Sequence, residues 1–159
     1  MVMRSQSLNV PTNYTKSVRP KTTRQLSDYK SEQNLTKYPG MPPSAVPKGS
    51  FSDSNANNLS KCIIYDIENV LKGLALRINN TGIYDPRTKR FRKSHTRKGI
   101  PDIIAVIDGK FLGIEVKYGS DRQSPEQKEI EKDIISAGGI YFVAKTYSGY
   151  VENISTYFR

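Results

Sequence analysis

The stretch GIPDIIAVIDGKFLGIEVK, Gly99 to Lys117, decides the fold. It holds two apolar runs separated by Asp108-Gly109. An Asp-Gly pair between such runs predicts a β-hairpin with a two-residue type I′ turn, whose central residues both need positive φ. Counting outward, Ile107 faces Lys110, Val106 faces Phe111, Ala105 faces Leu112, Ile104 faces Gly113 and Ile103 faces Ile114. The next pair sets Asp102 against Glu115. Lys117 lies two residues beyond Glu115 and points to the same face. Like charges directly opposite one another destabilise a strand pair, and more so as the dielectric falls.

Four arrangements relieve that repulsion. One carboxyl stays protonated, Lys117 neutralises the pair as an ion cluster, water solvates the strand ends, or a divalent cation sits between the carboxylates. Hard oxygen ligands suit Mg²⁺, which needs few protein ligands and keeps several waters. On this last reading Gly113 leaves room beside the site. A cation held by Asp102 and Glu115 beside Lys117 suits phosphodiester hydrolysis. It polarises the phosphate and lowers the pKa of a bound water, while Lys117 orients that water or stabilises the charge developing on the phosphate.

Around the hairpin the elements read as α/β or α+β. Ile63, Ile67, Val70 and Leu74 recur at helical spacing, which predicts a helix over 59–72 capped by Ser60 or Asn58. LALRIN then reads as a short strand. A polar loop follows, with room for a short strand or hairpin, and carries seven Lys or Arg and no acid between Pro86 and Pro101. After the main hairpin, SPEQ opens a second helix. Ser124 is its N-cap, Pro125 its first residue and Gln127 its capping-box partner. Gly138-Gly139 ends it, and IYFVAKT is the last clear strand. The final ten residues are ambiguous.

Residues 1–55 differ in kind. They hold six prolines, few large aliphatics and no periodicity, which predicts a disordered basic arm that binds nucleic acid or a protein partner, or serves as a linker. Residues 56–159 form the folded domain. The chain of 159 residues carries a net charge of +10, which favours a polyanionic partner, nucleic acid first, with solubility as the plain alternative. The single cysteine, Cys62, excludes an internal disulfide framework and Cys-rich zinc sites. No apolar run reaches signal-peptide or membrane-spanning length. The expectation is a soluble, cytoplasmic protein with no membrane partner.

Pro101-Asp102 followed by Glu115-Val116-Lys117 resembles the PD-(D/E)XK nuclease superfamily. The Gly-x-Pro-Asp start, the short hairpin, Glu-Val-Lys, the Ser-x-x-Gln helix start and the Gly-Gly before the last strand resemble its VRR-NUC branch. RINNTG at 77–82, followed by basic residues, fits too. The resemblance covers about residues 57 to 150 and is strongest from 97 to 147.

It implies a restriction-endonuclease-like core, a mixed central sheet flanked by helices. It implies a Mg²⁺-dependent deoxyribonuclease, often phage-encoded and then at work in the host cytoplasm, acting on branched, flapped or otherwise structured DNA, with Mn²⁺ able to substitute. Asp102 and Glu115 become metal ligands, the Val116 backbone carbonyl a third, and Lys117 the catalytic lysine. Gln127 matches the family's glutamine, and its capping role competes for the one side chain with a functional role, a bond to a metal-bound water or a phosphate oxygen near the site.

One departure stands out. Relatives often carry a metal-holding acid early in the first helix, and no acid lies from Ala56 to Tyr65. Glu68 and Asn58 are the substitutes on offer. Arg77, Asn79, Arg97 and Lys98 are the expected DNA contacts, to phosphate rather than to bases. Asn80 joins them or only forms the turn. His95 reads as a solvated loop residue, and Tyr84 and Phe91 as packing residues rather than base-stacking ones. A homodimer suits branched DNA. The rival reading is a binding, structural or regulatory protein that keeps the nuclease fold and does not cleave.

Overall fold

The computed structural model describes residues 19–78, 83–92 and 97–158. The main sheet has four strands in the order β1-β4-β5-β6: Leu74–Arg77, Ile103–Ile107, Lys110–Val116 and Ile140–Ala144. β1 and β4, and β4 and β5, pair antiparallel, while β5 and β6 pair parallel. β2 (Ile83–Asp85) and β3 (Arg90–Arg92) form a separate hairpin within the polar loop. The helices are α1 (Thr23–Lys37), α2 (Ala56–Tyr65), α3 (Pro125–Ser136) and α4 (Tyr147–Ser155). This is a mixed α/β architecture of the α+β kind. Among the described residues no helix is long and apolar enough to cross a membrane.

The hairpin register agrees with the count from the turn, pair for pair. Asp108 and Gly109 have φ of 48° and 74°, as a type I′ turn requires. That register divides the side chains between two faces. Ile103, Ala105, Ile107, Leu112, Ile114 and Val116 are buried against a core that includes Leu59, Ile63, Ile67, Tyr147, Tyr150 and Ile154. The opposite face, with Asp102, Gly113, Glu115 and Lys117, receives α3. A Cβ on Gly113 would stand 3.0 Å from Ile134 Cδ1, Pro101 Cγ and Tyr141 Cδ2. The space at Gly113 thus admits the helix, not a ligand beside the carboxylates.

α3 begins as expected. Ser124 Oγ accepts from Gln127 N, Gln127 Oε1 accepts from Ser124 N, and Pro125 follows the cap. α2 departs from expectation at both ends. Its cap is Asn55, whose Oδ1 accepts from Asn58 N at 2.9 Å. After Tyr65 it passes into a π-helical turn, Asp66–Val70.

The larger correction concerns the N-terminal arm. Residues 19–55 hold a fifteen-residue helix and pack on the domain. Leu26 is fully buried. Tyr29 Oη donates to the Asn69 carbonyl, Ser27 Oγ accepts from Phe51 N, and Ser31 Oγ accepts from Gly49 N. Asp66 is buried, with Oδ2 accepting from Arg19 Nη2 and Tyr150 Oη and Oδ1 accepting from Tyr147 Oη. The expected disordered arm over 1–55 therefore does not hold for 19–55, and residues 1–18 lie outside the described residues.

Cys62 is buried, and its Sγ donates to the Ser52 carbonyl at 3.3 Å. Burial pushes its thiol up to about 11. A thiol reagent at about pH 8 should leave the native protein unlabelled and react fully in denaturant. Rapid labelling of the native chain would contradict this packing.

Candidate active site

Asp102 precedes β4, Glu115 lies near the end of β5 and Lys117 follows it. The hairpin brings all three together on the face that α3 covers. Asp102 Oδ2 accepts from Val116 N at 3.0 Å, and the Asp102 carbonyl accepts from Ile78 N at 2.8 Å. The residue is thus fixed from both neighbouring strands. Glu115 is 1 % exposed. Its Oε1 lies 3.0 Å from Lys117 Nζ and accepts from Gln127 Nε2 at 2.5 Å. Its Oε2 is buried and has no hydrogen-bond partner. Lys117 Nζ also lies 3.5 Å from Asp121 Oδ2.

The ion cluster, one of the four ways to relieve the opposed carboxylates, is present. It does not fully relieve them. Burial and the neighbouring Asp102 push Glu115 up to about 7, against the pull of Lys117. Burial alone pulls Lys117 down. The carboxylates of Glu115, Asp121 and Asp102 outweigh it and hold its ammonium above the usual lysine range. Lys117 therefore keeps its charge at neutral pH.

Gln127 keeps its capping role and bonds Glu115 rather than standing free for a water or a phosphate. Its oxygen serves the capping box and its nitrogen serves Glu115. One amide does both, because it has an acceptor at one end and a donor at the other.

Not all expected site residues meet here. The Val116 amide fixes Asp102. Glu68 is exposed on the π-helical turn. That turn leads to Gly73, beside Val106 and Ile107 at the hairpin-turn end of the sheet. The structure does not bring Glu68 to Asp102 or Glu115. Asn58 donates to Ser54 Oγ. Its neighbour Asn57, missed in the sequence, accepts from Arg77 Nη2 through Oδ1. The start of α2 therefore reaches the end of β1 that borders Asp102. Arg77 is engaged by that bond, and Arg97 by Asp133 at 2.7 Å. Lys98 is exposed. Asn79, Asn80, His95 and the side chain of Phe91 lie outside the described residues.

Among the described residues no group of three or more His, Cys, Asp or Glu gathers as a metal centre. Two carboxylates are enough for Mg²⁺, which commonly takes one or two protein ligands and otherwise keeps water. The buried, unpartnered Glu115 Oε2 beside Asp102 is a donor set of that kind. No protein-family model matches the chain, and no curated protein matches it.

Proposed function

We propose that this protein is a Mg²⁺-dependent DNA endonuclease with a restriction-endonuclease-like core, related to the VRR-NUC branch of the PD-(D/E)XK nucleases. The observation that carries the reading is the junction of Asp102, Glu115 and Lys117, with one buried carboxylate oxygen left unpaired. The mixed sheet, the α3 crossover between β5 and β6, and the Pro-Asp and Glu-Val-Lys motifs support it.

Asp102 and Glu115 would hold the cation. When bound, Mg²⁺ supplies Lewis-acid polarisation of the phosphodiester and activates water. The protein's own groups are preorganised around that chemistry. The Val116 amide orients Asp102, and Gln127 fixes the rotamer of Glu115. Lys117, charged and held by Glu115 and Asp121, presents its ammonium to the charge that develops on the phosphate.

Purified protein incubated with branched, flapped and linear DNA should cleave at least one of them in Mg²⁺ or Mn²⁺, and none in EDTA. No cleavage of any substrate in either metal would end the nuclease reading. A second reading, a nuclease-fold protein that binds DNA without cutting it, is favoured by the double occupancy of Glu115 Oε1 and by the absence, among the described residues, of three or more His, Cys, Asp or Glu gathered as a metal centre. It predicts salt-sensitive binding with no cleavage.

The raised Glu115 gives a pH test. Its folded-state value of about 7 lies above the ordinary carboxyl value of 4.5, so the cation-free site keeps a proton below about pH 7. Mg²⁺ must displace that proton. The Mg²⁺ concentration for half-maximal activity should therefore rise by up to about tenfold per unit as pH falls below about 7, and level off above it. A flat requirement between about pH 6 and about pH 8 would contradict the assignment.

A further inference from the structure

Beside the candidate site, on the far side of Lys117, lies a pocket of about 300 Å³ lined by Lys117, Asp121, Arg122, Lys128 and Lys145 among others. The cations come from separate parts of the chain. Arg122 is in the loop after β5, Lys128 is on α3, and Lys145 follows β6. All three are exposed. Among the described residues none of the three stands in an ion pair. Asp121, the acid in the lining, is turned toward Lys117.

Three uncompensated cations converging on one concave surface repel one another, and an anion seated among them relieves that repulsion. Of the basic residues that the sequence singles out, Arg97 is paired with Asp133 and Arg77 bonds to Asn57, while Lys98 is exposed. Arg122, Lys128 and Lys145 thus place positive charge with no ion-pair partner among the described residues on the α3–β6 side. Lys117 belongs both to this pocket and to the carboxylate pair, so an anion held here lies one side chain from the reaction centre.

We infer that Arg122, Lys128 and Lys145 form a backbone-binding pocket that seats phosphates flanking the one attacked and so positions the nucleic-acid strand. The inference rests on the nuclease reading only in that a neighbouring phosphate is attacked; the pocket itself binds the phosphodiester backbone whether or not cleavage follows. The three are positioning residues. They grip the strand without reading its sequence.

The test is DNA binding by fluorescence anisotropy in EDTA across a salt series. It compares the full chain, the variant Arg122→Ala/Lys128→Ala/Lys145→Ala, and a matched control, Lys21→Ala/Lys61→Ala/Lys132→Ala. The pocket variant should bind about ten- to a hundredfold more weakly at low salt, and its log–log salt slope should shrink by about 0.9 for each phosphate that is no longer neutralised. The control should lose much less of both. Single-turnover cleavage at limiting protein should fall by about the same factor as binding.

Binding and slope equal to those of the control would overturn the inference. So would weaker binding with an unchanged slope, because phosphate neutralisation must appear in the slope. The single reversal Arg122→Glu, at an exposed position, keeps the test decisive if the triple variant folds poorly. If the pocket variant loses binding while the wild type cleaves nothing in Mg²⁺, the pocket stands and the nuclease reading falls. If the wild type cleaves and the pocket variant matches the control, the reverse holds.

Discussion

Replacing Lys117 by methionine is expected to slow DNA cleavage by about a hundred- to a thousandfold, the usual loss when one preorganised charge leaves a reaction centre. The substitution keeps most of the apolar stem and removes the ammonium. That ammonium lies 3.0 Å from Glu115 Oε1 and 3.5 Å from Asp121 Oδ2, so its position is set before substrate arrives. The fold should survive, because Glu115 can take up a proton instead of remaining a buried, unpaired charge. Single-turnover rates at saturating protein, with circular dichroism as the folding control, check the expectation. A variant that cleaves within about tenfold of wild type would remove Lys117 from the reaction. Glu115→Gln and Asp102→Ala should instead lose the response to Mg²⁺, which separates holding the cation from stabilising the phosphate.

The second large effect lies across the sheet, at Asp66. Its carboxylate is fully buried and accepts from Arg19, Tyr147 and Tyr150. Asp66→Ala strands a largely buried guanidinium and two hydroxyls, and should cost about 3–5 kcal/mol, as breaking one side of a buried pair does. Urea unfolding would show the loss as a lower midpoint at nearly constant slope. The paired change Arg19→Met/Asp66→Leu should be far milder, because it leaves no unpaired charge behind. If Asp66→Ala were as stable as wild type, the contact between residues 19–37 and the domain would not be an integral part of the fold.

The contrast between these two sites shows what a sequence can disclose. The hairpin was legible because Asp108-Gly109 pins the register, and a pinned register places every later side chain by counting. The start of α3 was legible because Ser124, Pro125 and Gln127 form a local hydrogen-bonding pattern that depends on nothing distant. α1 was not. TRQLSDYKSEQNLTK is polar almost all round, and its order comes from one buried leucine and from side-chain bonds to a segment up to forty residues away. Composition alone reports such a helix as disorder.

Asp66 did leave a trace. It sits three residues after Ile63 and next to Ile67, an acid on the apolar stripe of a helix, and such an acid must find partners if the stripe is buried. α4 left one as well. Tyr147, Tyr150, Val151 and Ile154 keep helical spacing, and Gly149 within the first turn weakens the signal. The Arg122, Lys128 and Lys145 pocket left none, since its members are far apart until the sheet and α3 assemble. The basic run between Pro86 and Pro101 drew attention by its density. Density along the chain says little about which charges remain free once neighbours have paired, as Arg97 does with Asp133.

Gln127 carries one more consequence. A capping box accepts glutamate as readily as glutamine. At this position the two are not interchangeable, because the side chain must also hand a proton donor to Glu115. Glutamate would satisfy the helix and set a third negative charge against the pair. The rule for starting α3 is thereby narrowed to a single residue type by an acid twelve positions earlier, and the choice of that one amide ties the onset of a helix to the charge balance of the site.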